Sequence, residues 1–375
     1  MEIFTGSFTQ QDPIPDEGIA AALQVLRHGR LHRYNTAPGE VAETALLEEE
    51  FAALTGAKYC LAVASGGYAL ATALRACGVQ PGDRVLTNAF TLAPVPGAIA
   101  GLGAVPVFVG VTQGLVIDLD DLAAKLPQAR VLMLSHMRGH ICDMDALMAL
   151  CDAAGVTVIE DCAHTMGARW NGTLSGRHGR MACYSTQTYK HVNSGEGGLL
   201  ISDDAAAMAR AIMLSGSYML FDRHRAAPPP EAFATIRYET PNISGRMDNL
   251  RAAILRPQLR DLEAQCARWN DRYRVVEDGS GRHPRPDPDR PARGRALRGL
   301  VLPVPAAGLA RRRDPRGAVA LCGPRGRAEM VRRARTARLH LALRQLALCA
   351  LHADAGQRPH PARDRRHAPA ADLQP

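Results

Sequence analysis

KYCLAVASGGYALATALRACG, residues 58–78, decides the fold. The run KYCLAVA (58–64) reads as a strand, and GYALATALRACG (67–78) carries its apolar residues at helical spacing. Between them, Ser65, Gly66 and Gly67 turn the chain sharply. Strand, tight turn and helix form the repeating unit of an α/β domain.

The same unit recurs on both sides. Upstream, EVAETALLEEEFAALTG (40–56) has helical spacing and ends at Gly56, a C-cap residue. Downstream come strand RVLTN (84–88), a helix over 91–101, strands AVPVFV (104–109) and VLMLS (131–135), and a helix over 143–154. Strands VTVIED (156–161), MACYST (181–186) and GLLISD (198–203) follow, the last with a helix after it, and a long helix is expected around 246–265. The expected fold is α/β with a largely parallel sheet. Such sheets build their sites where strands end.

Three motifs lie at such ends. Backbone N–H groups of Ser65, Gly66 and Gly67, at the positive end of a helix dipole, suit a phosphate, although such turns are often purely structural. VTVIEDCAHTMGA (156–168) closes a strand with Glu160 and Asp161 and places His164 just beyond. An acid there faces a ligand nitrogen or a metal; the plainer alternative is a helix N-cap at Asp161 with a packed histidine. In SHMRGHIC (135–142), His136, His140 and Cys142 hint at metal, but no second pair stands at ligand spacing and no metal is expected.

The third motif is STQTYKHVNSGEGGLL (185–200), with Lys190, one of only three lysines beside Lys58 and Lys125. A lysine in a partly dry pocket has a depressed pKa and serves as a Schiff-base nucleophile and proton carrier. A surface lysine is the ordinary reading. The order of the set changes that reading: phosphate turn, acid at a strand end, then lysine before a glycine run. Pyridoxal phosphate needs those parts, a phosphate anchor, a carboxylate to keep the pyridine nitrogen protonated, and an amine for the aldehyde.

At this point the chain resembles the DegT-type sugar aminotransferases, fold-type I pyridoxal-phosphate enzymes, over about residues 15–278. ASGGYALATAL, GDRVLTNAFTLAPVPGAI, IEDCAHTMGA, CYSTQTYKHVNSGEGGLL and ISGRMDNLRAAILRPQL carry the resemblance, in that order. It implies a three-layer α/β/α sandwich on a mostly parallel mixed sheet. Residues 1–265 would form the large cofactor-binding domain and 266–278 the start of a small C-terminal domain. By the same resemblance, Lys190 would hold the cofactor's aldehyde and shuttle a proton, and Asp161 would pair with the pyridine nitrogen. His164 would lie near the phenolic oxygen. Ser65, Gly66, Gly67 and Ser185 would hold the phosphate, and Asn242 or Ser244 would reach the phosphate of a neighbouring subunit in a homodimer.

Some positions depart from the family pattern. Gly67 stands where threonine is common. Leu92 occupies the register of the ring-stacking aromatic, with Phe90 two residues earlier as the substitute. The NISGRM stretch is two residues longer than usual. The implied reaction moves an amino group from glutamate or glutamine to a keto-sugar, nucleotide-linked in the expected case, or to a keto-cyclitol. A non-catalytic member of the fold, regulatory or degenerate, is the alternative. Related sugar dehydratases carry histidine at the lysine position, so Lys190 argues against that class.

Bulk composition adds a boundary. The 375 residues are 46% hydrophobic, ordinary for a globular chain, with no run near the roughly 18–20 apolar residues that span a bilayer. The N-terminal stretch MEIFTGSFTQQDPIP lacks the features of a secretory signal, and nine cysteines without a CxxC pair suit a reducing cytoplasm. The net charge of +8 comes from one region: residues 279–375 hold 21 arginines, no lysine and 7 acidic residues. The rest is mildly acidic, so neither a nucleic-acid nor a membrane partner is expected. All 17 aromatic residues precede Gly279, and isoleucine and asparagine are also missing beyond it.

A disordered basic tail is one account of that composition. The account preferred here is a reading-frame shift just after Asp278–Gly279 that disrupts the small domain. With wobble bases chosen freely, ALRGLVLPVPAAGL (296–309) read one base later gives RFVGSSFQFLLPGW, which regains aromatics and alternation. DNA sequence across codons 275–285 tests it; an intact frame there would sink the idea.

Overall fold

A computed structural model of the protein describes residues 11–279. The expectations for the tail, and for the remainder of the small domain, lie outside the described residues.

Seven strands form the main sheet: β1 Tyr59–Val63, β2 Arg84–Asn88, β3 Val105–Val109, β4 Val131–Ser135, β5 Thr157–Asp161, β8 Met181–Ser185 and β9 Gly198–Ser202. A two-stranded hairpin of β6 Arg169–Trp170 and β7 Thr173–Leu174 lies apart from it. The order across the sheet is β1-β9-β8-β5-β4-β2-β3. Only β9 runs against its neighbours; the pairs β8–β5, β5–β4, β4–β2 and β2–β3 are parallel. The mostly parallel mixed sheet is therefore as expected.

The pleat distributes the apolar runs between two helical layers. Along β1, Leu61 and Val63 pack with α3 Gly66–Ala76, α4 Pro94–Gly101 and α7 Ala205–Ser215, whereas Cys60 and Ala62 face α2 Glu43–Thr55 and α9 Asn249–Arg260. Further along the second face, Leu132, Leu134 and Val158 meet α5 Leu119–Lys125 and α6 Met144–Ala153. Because successive side chains of a strand alternate faces, runs that are apolar throughout need cover on both sides. The result is three layers, α/β/α. Leu61, Leu74, Leu86 and Leu132 are fully buried, each contributing on the order of 2 kcal/mol by removal from water.

Several boundaries differ from the sequence-based expectation. The long helix expected around 246–265 is two helices, α9 and α10 Leu262–Gly279, separated at Asp261. Helix α1 Asp16–His28, α5 and the β6–β7 hairpin were not anticipated. No helix follows Asp161 directly; a turn does. No helix among the described residues is long and apolar enough to cross a membrane.

Candidate active site

The strand ends converge on one edge of the sheet. Asn88, Ser135, Asp161 and Ser185 are the last residues of β2, β4, β5 and β8. Antiparallel β9 begins at the same edge, since Gly198 pairs with both Val63 and Ser185.

Ser65 caps α3: its Oγ accepts the Tyr68 N–H at 3.1 Å, and its carbonyl accepts the Ala69 N–H at 3.0 Å. The N–H groups of Gly66 and Gly67 have no protein acceptor among the described residues, as expected for a first helical turn. Close approach explains the glycine at 66. A Cβ there would lie 2.8 Å from the Cβ of Ser185, so the backbone of the turn packs directly on the Ser185 side chain at the end of β8. Gly198 is crowded in the same way by the Ser65 carbonyl. Gly67 is not: a Cβ there would meet only ordinary contacts, at 3.9 Å from Ser65 Oγ and 4.0 Å from Pro94.

Asp161 is buried. Its Oδ2 accepts the Ser135 hydroxyl at 3.0 Å and its Oδ1 the Ala163 N–H at 3.2 Å, leaving lone pairs on both oxygens for a further donor. Burial pushes its carboxyl above the usual aspartate range, opposed by the Ala163 N–H, Ser135 and nearby Lys190. Lys190 is partly buried, and its Nζ lies 2.9 Å from His164 Nε2. Burial lowers its pKa, Asp161 works against that, and the charge of Arg138 adds to the lowering.

His164 Nδ1 accepts the Arg138 N–H at 3.3 Å, and burial, with Lys190 and Arg138, holds the ring's pKa down at about 3. A neutral imidazole accepting at Nδ1 carries its proton at Nε2. Nε2 then faces the Lys190 amine, whose protonated form burial and the charge of Arg138 disfavour. The loop bearing the lysine is moored to α9, where Gln258 accepts the Asn193 N–H at 2.8 Å and donates to its carbonyl at 2.9 Å. Within that loop Gly195 adopts φ +79°, a conformation that favours glycine.

The arrangement brings Ser65, Gly66, Gly67 and Ser185 together, and separately Asp161, His164 and Lys190. Phe90 is half-buried and its carbonyl is held by Asn88 Nδ2 at 3.0 Å, while the Leu92 side chain is exposed. Asn242 and Ser244 are exposed as well; Ser244 Oγ lies 3.3 Å from the Tyr218 hydroxyl.

Sequence reasoning missed Ser135, although it pairs in register with Asp161 at the end of the neighbouring strand. Arg138 was missed too. The metal-like grouping differs from the one first suspected: His136, Glu160 and Cys162 come together, without His140 and Cys142. Glu160 there accepts from His136 Nε2 at 3.0 Å and from the N–H groups of Gly176, His178 and Gly179 at 2.9, 2.9 and 2.7 Å. These four donors occupy its four lone-pair sites, so this carboxylate secures the loop after β7.

Free amides for a phosphate, a buried carboxylate with spare lone pairs for a ring N–H, and a partly buried lysine amine for an aldehyde fit pyridoxal phosphate. Comparison with known proteins agrees. L-glutamine:2-deoxy-scyllo-inosose aminotransferase of Streptomyces lividus is 32% identical over 261 residues, which cover 68% of this chain and 61% of that protein. The 3-amino-5-hydroxybenzoate synthase of Amycolatopsis mediterranei (strain S699) is 35% identical over 234 residues, covering 61% and 58% respectively. The chain thus spans about three-fifths of these curated relatives, 61% and 58%. The crystal structure of 3-amino-5-hydroxybenzoic acid synthase superposes with a TM-score of 0.62 at 30% identity, over 73% of this chain and 67% of that one. Residues 14–281 match the pattern of a single family, so that sequence, fold and site agree: the chain belongs to the DegT/DnrJ/EryC1/StrS aminotransferase family, whose cofactor is pyridoxal phosphate.

Proposed function

We propose that this protein transfers an amino group from glutamate or glutamine to the carbonyl of a keto-sugar or keto-cyclitol. When bound, pyridoxal phosphate supplies the electron sink for proton loss from the donor carbon. Lys190 holds the cofactor through its amine and afterwards carries a proton between the substrate carbon and the cofactor. Asp161 keeps the ring nitrogen protonated, positioned by Ser135. The amides of Gly66 and Gly67, with the hydroxyls of Ser65 and Ser185, receive the phosphate. His164 orients the lysine amine.

One observation carries this reading: a lysine amine 2.9 Å from a neutral histidine, with Asp161 acting on it by charge, at the carboxyl ends of a parallel sheet. The relatives named for inosose and for aminohydroxybenzoate support a cyclic keto substrate over an open-chain one. We further propose a cytoplasmic homodimer, in which exposed Asn242 or Ser244 of one subunit reaches the phosphate held by the other. Turnover of the cofactor-loaded protein with glutamate or glutamine and a panel of keto-sugars and inososes tests the reaction. Cofactor binding without amine transfer to any of them would instead support a non-catalytic member of the fold.

A further inference from the structure

The turn after β4 holds a cation that the proposed chemistry does not use. Arg138 follows Ser135 by three residues and has φ +58° and ψ +24°, left-handed geometry that costs a non-glycine residue on the order of 1 kcal/mol. The turn is tied down on both sides of it. Its own N–H donates to His164, the Gly139 N–H donates to the His136 carbonyl at 3.1 Å, and the His140 N–H to the Met137 carbonyl at 3.3 Å.

The guanidinium has no such tie. The residue is half-buried, and none of the ion pairs among the described residues includes it. It is nevertheless close enough to act by charge on both His164 and Lys190. An unpaired guanidinium beside a buried reactive amine is an anion acceptor, and its planar fork matches a carboxylate through two parallel hydrogen bonds.

Sheet topology separates this position from the phosphate turn. Strands β1 and β4 are four steps apart in the order β1-β9-β8-β5-β4. The phosphate turn also reaches the end of β8, two steps from β4, which at the usual strand spacing is about 10 Å from the turn that bears Arg138. Arg138 sits against His164 and acts by charge on Lys190, so the anion that meets it beside the amine is one brought by a substrate.

We infer that Arg138 is the substrate-carboxylate receptor of this site. The inference rests on the transamination reading, which places an amino acid beside Lys190. The carboxylate belongs either to the amino donor or to an acidic keto acceptor, and the two sources are separable.

The test uses the full chain loaded with pyridoxal phosphate, as wild type, Arg138→Gln and Arg138→Lys. The amino-donor half-reaction is followed by visible absorbance with L-glutamate, L-glutamine and L-isoglutamine, whose α-carboxylate is an amide. If the donor carboxylate is bound, Arg138→Gln needs about 10- to 100-fold more glutamate or glutamine for half-maximal rate, as expected for loss of a charged hydrogen-bonded pair. Isoglutamine is then unaffected and Arg138→Lys is intermediate. If the acceptor carboxylate is bound, the loss moves to the return reaction with a ketocyclohexane carboxylate and spares uncharged scyllo-inosose. Equal losses with charged and uncharged substrates, or no loss with any, overturn the inference.

Calorimetric titration with glutarate reads the same site without turnover. Weaker binding to Arg138→Gln than to wild type, with an unchanged visible cofactor band, supports the inference; equal binding, or none to wild type, overturns it. A wild type inert toward every donor refutes transamination, and the glutarate comparison then decides for Arg138 alone.

Discussion

Two buried imidazoles flank the candidate lysine, and neither takes up a proton near neutrality. Burial first, then nearby positive groups, holds both His164 and His191 at about 3. Among the described residues His191 has no partner on either ring nitrogen, and it packs on Trp269 with centroids 5.3 Å apart. In the unfolded chain each would protonate near 6.5, so between that value and 3 the unfolded state binds more protons. Their contribution is intact above the ordinary histidine pKa and is lost as pH falls below it. From pH 7 to pH 5 the two together should cost roughly 4 kcal/mol of stability. His191→Phe keeps the contact with Trp269 and should remove about half of that loss. Urea unfolding at pH 7, 6 and 5 checks it; curves that stay parallel would refute the assignment. His164 was legible in the sequence because it follows an acid at a strand end. His191 was not, because Trp269, which buries it, arrives from α10, and loop residues have no periodicity to expose their neighbours.

At the scale of elements, the glycines around the phosphate turn divide by physical role. Gly198 abuts the Ser65 carbonyl, so Gly198→Ala has to displace the turn or β9. A loss of about 1–3 kcal/mol is expected, with weaker pyridoxal-phosphate binding. Gly67 has room for a side chain. Gly67→Thr should change stability by less than about 0.5 kcal/mol and tighten cofactor binding by adding a hydroxyl. Thermal unfolding and cofactor titration of both variants test the pair, and equal tolerance at the two positions would contradict the packing described. Strands were the easiest elements to read, since short apolar runs bounded by turns have few other uses. Helix α1 escaped because it is apolar on two sides: Gly18 and Val25 are buried, while Ile19, Leu23 and Leu26 are exposed. The α9–α10 break escaped because Asp261 interrupts nothing in the apolar spacing. Helix α5 did have a readable signal, the Asp118 cap whose side chain accepts from Asp120 and Asp121 N–H groups.

For the whole molecule, the family match stops at residue 281, next to the loss of aromatics after residue 278. Both changes fall within the same few residues. The large domain was legible because its motifs are local: each strand end carries its functional residue within a few positions. The partners of those residues were less so. The Asp161–Ser135 bond and the charge of Arg138 beside Lys190 depend on which strands lie side by side, and sequence order does not state that. The central claim is that Lys190 holds pyridoxal phosphate as a reagent for amine transfer. It is tested most directly by the visible absorbance of the cofactor-loaded chain before and after L-glutamate is added, beside Lys190→Ala. The account predicts a visible band in the wild type that is lost on adding glutamate and restored by a keto acceptor, and no such band in Lys190→Ala. An identical spectrum and response in Lys190→Ala would contradict it.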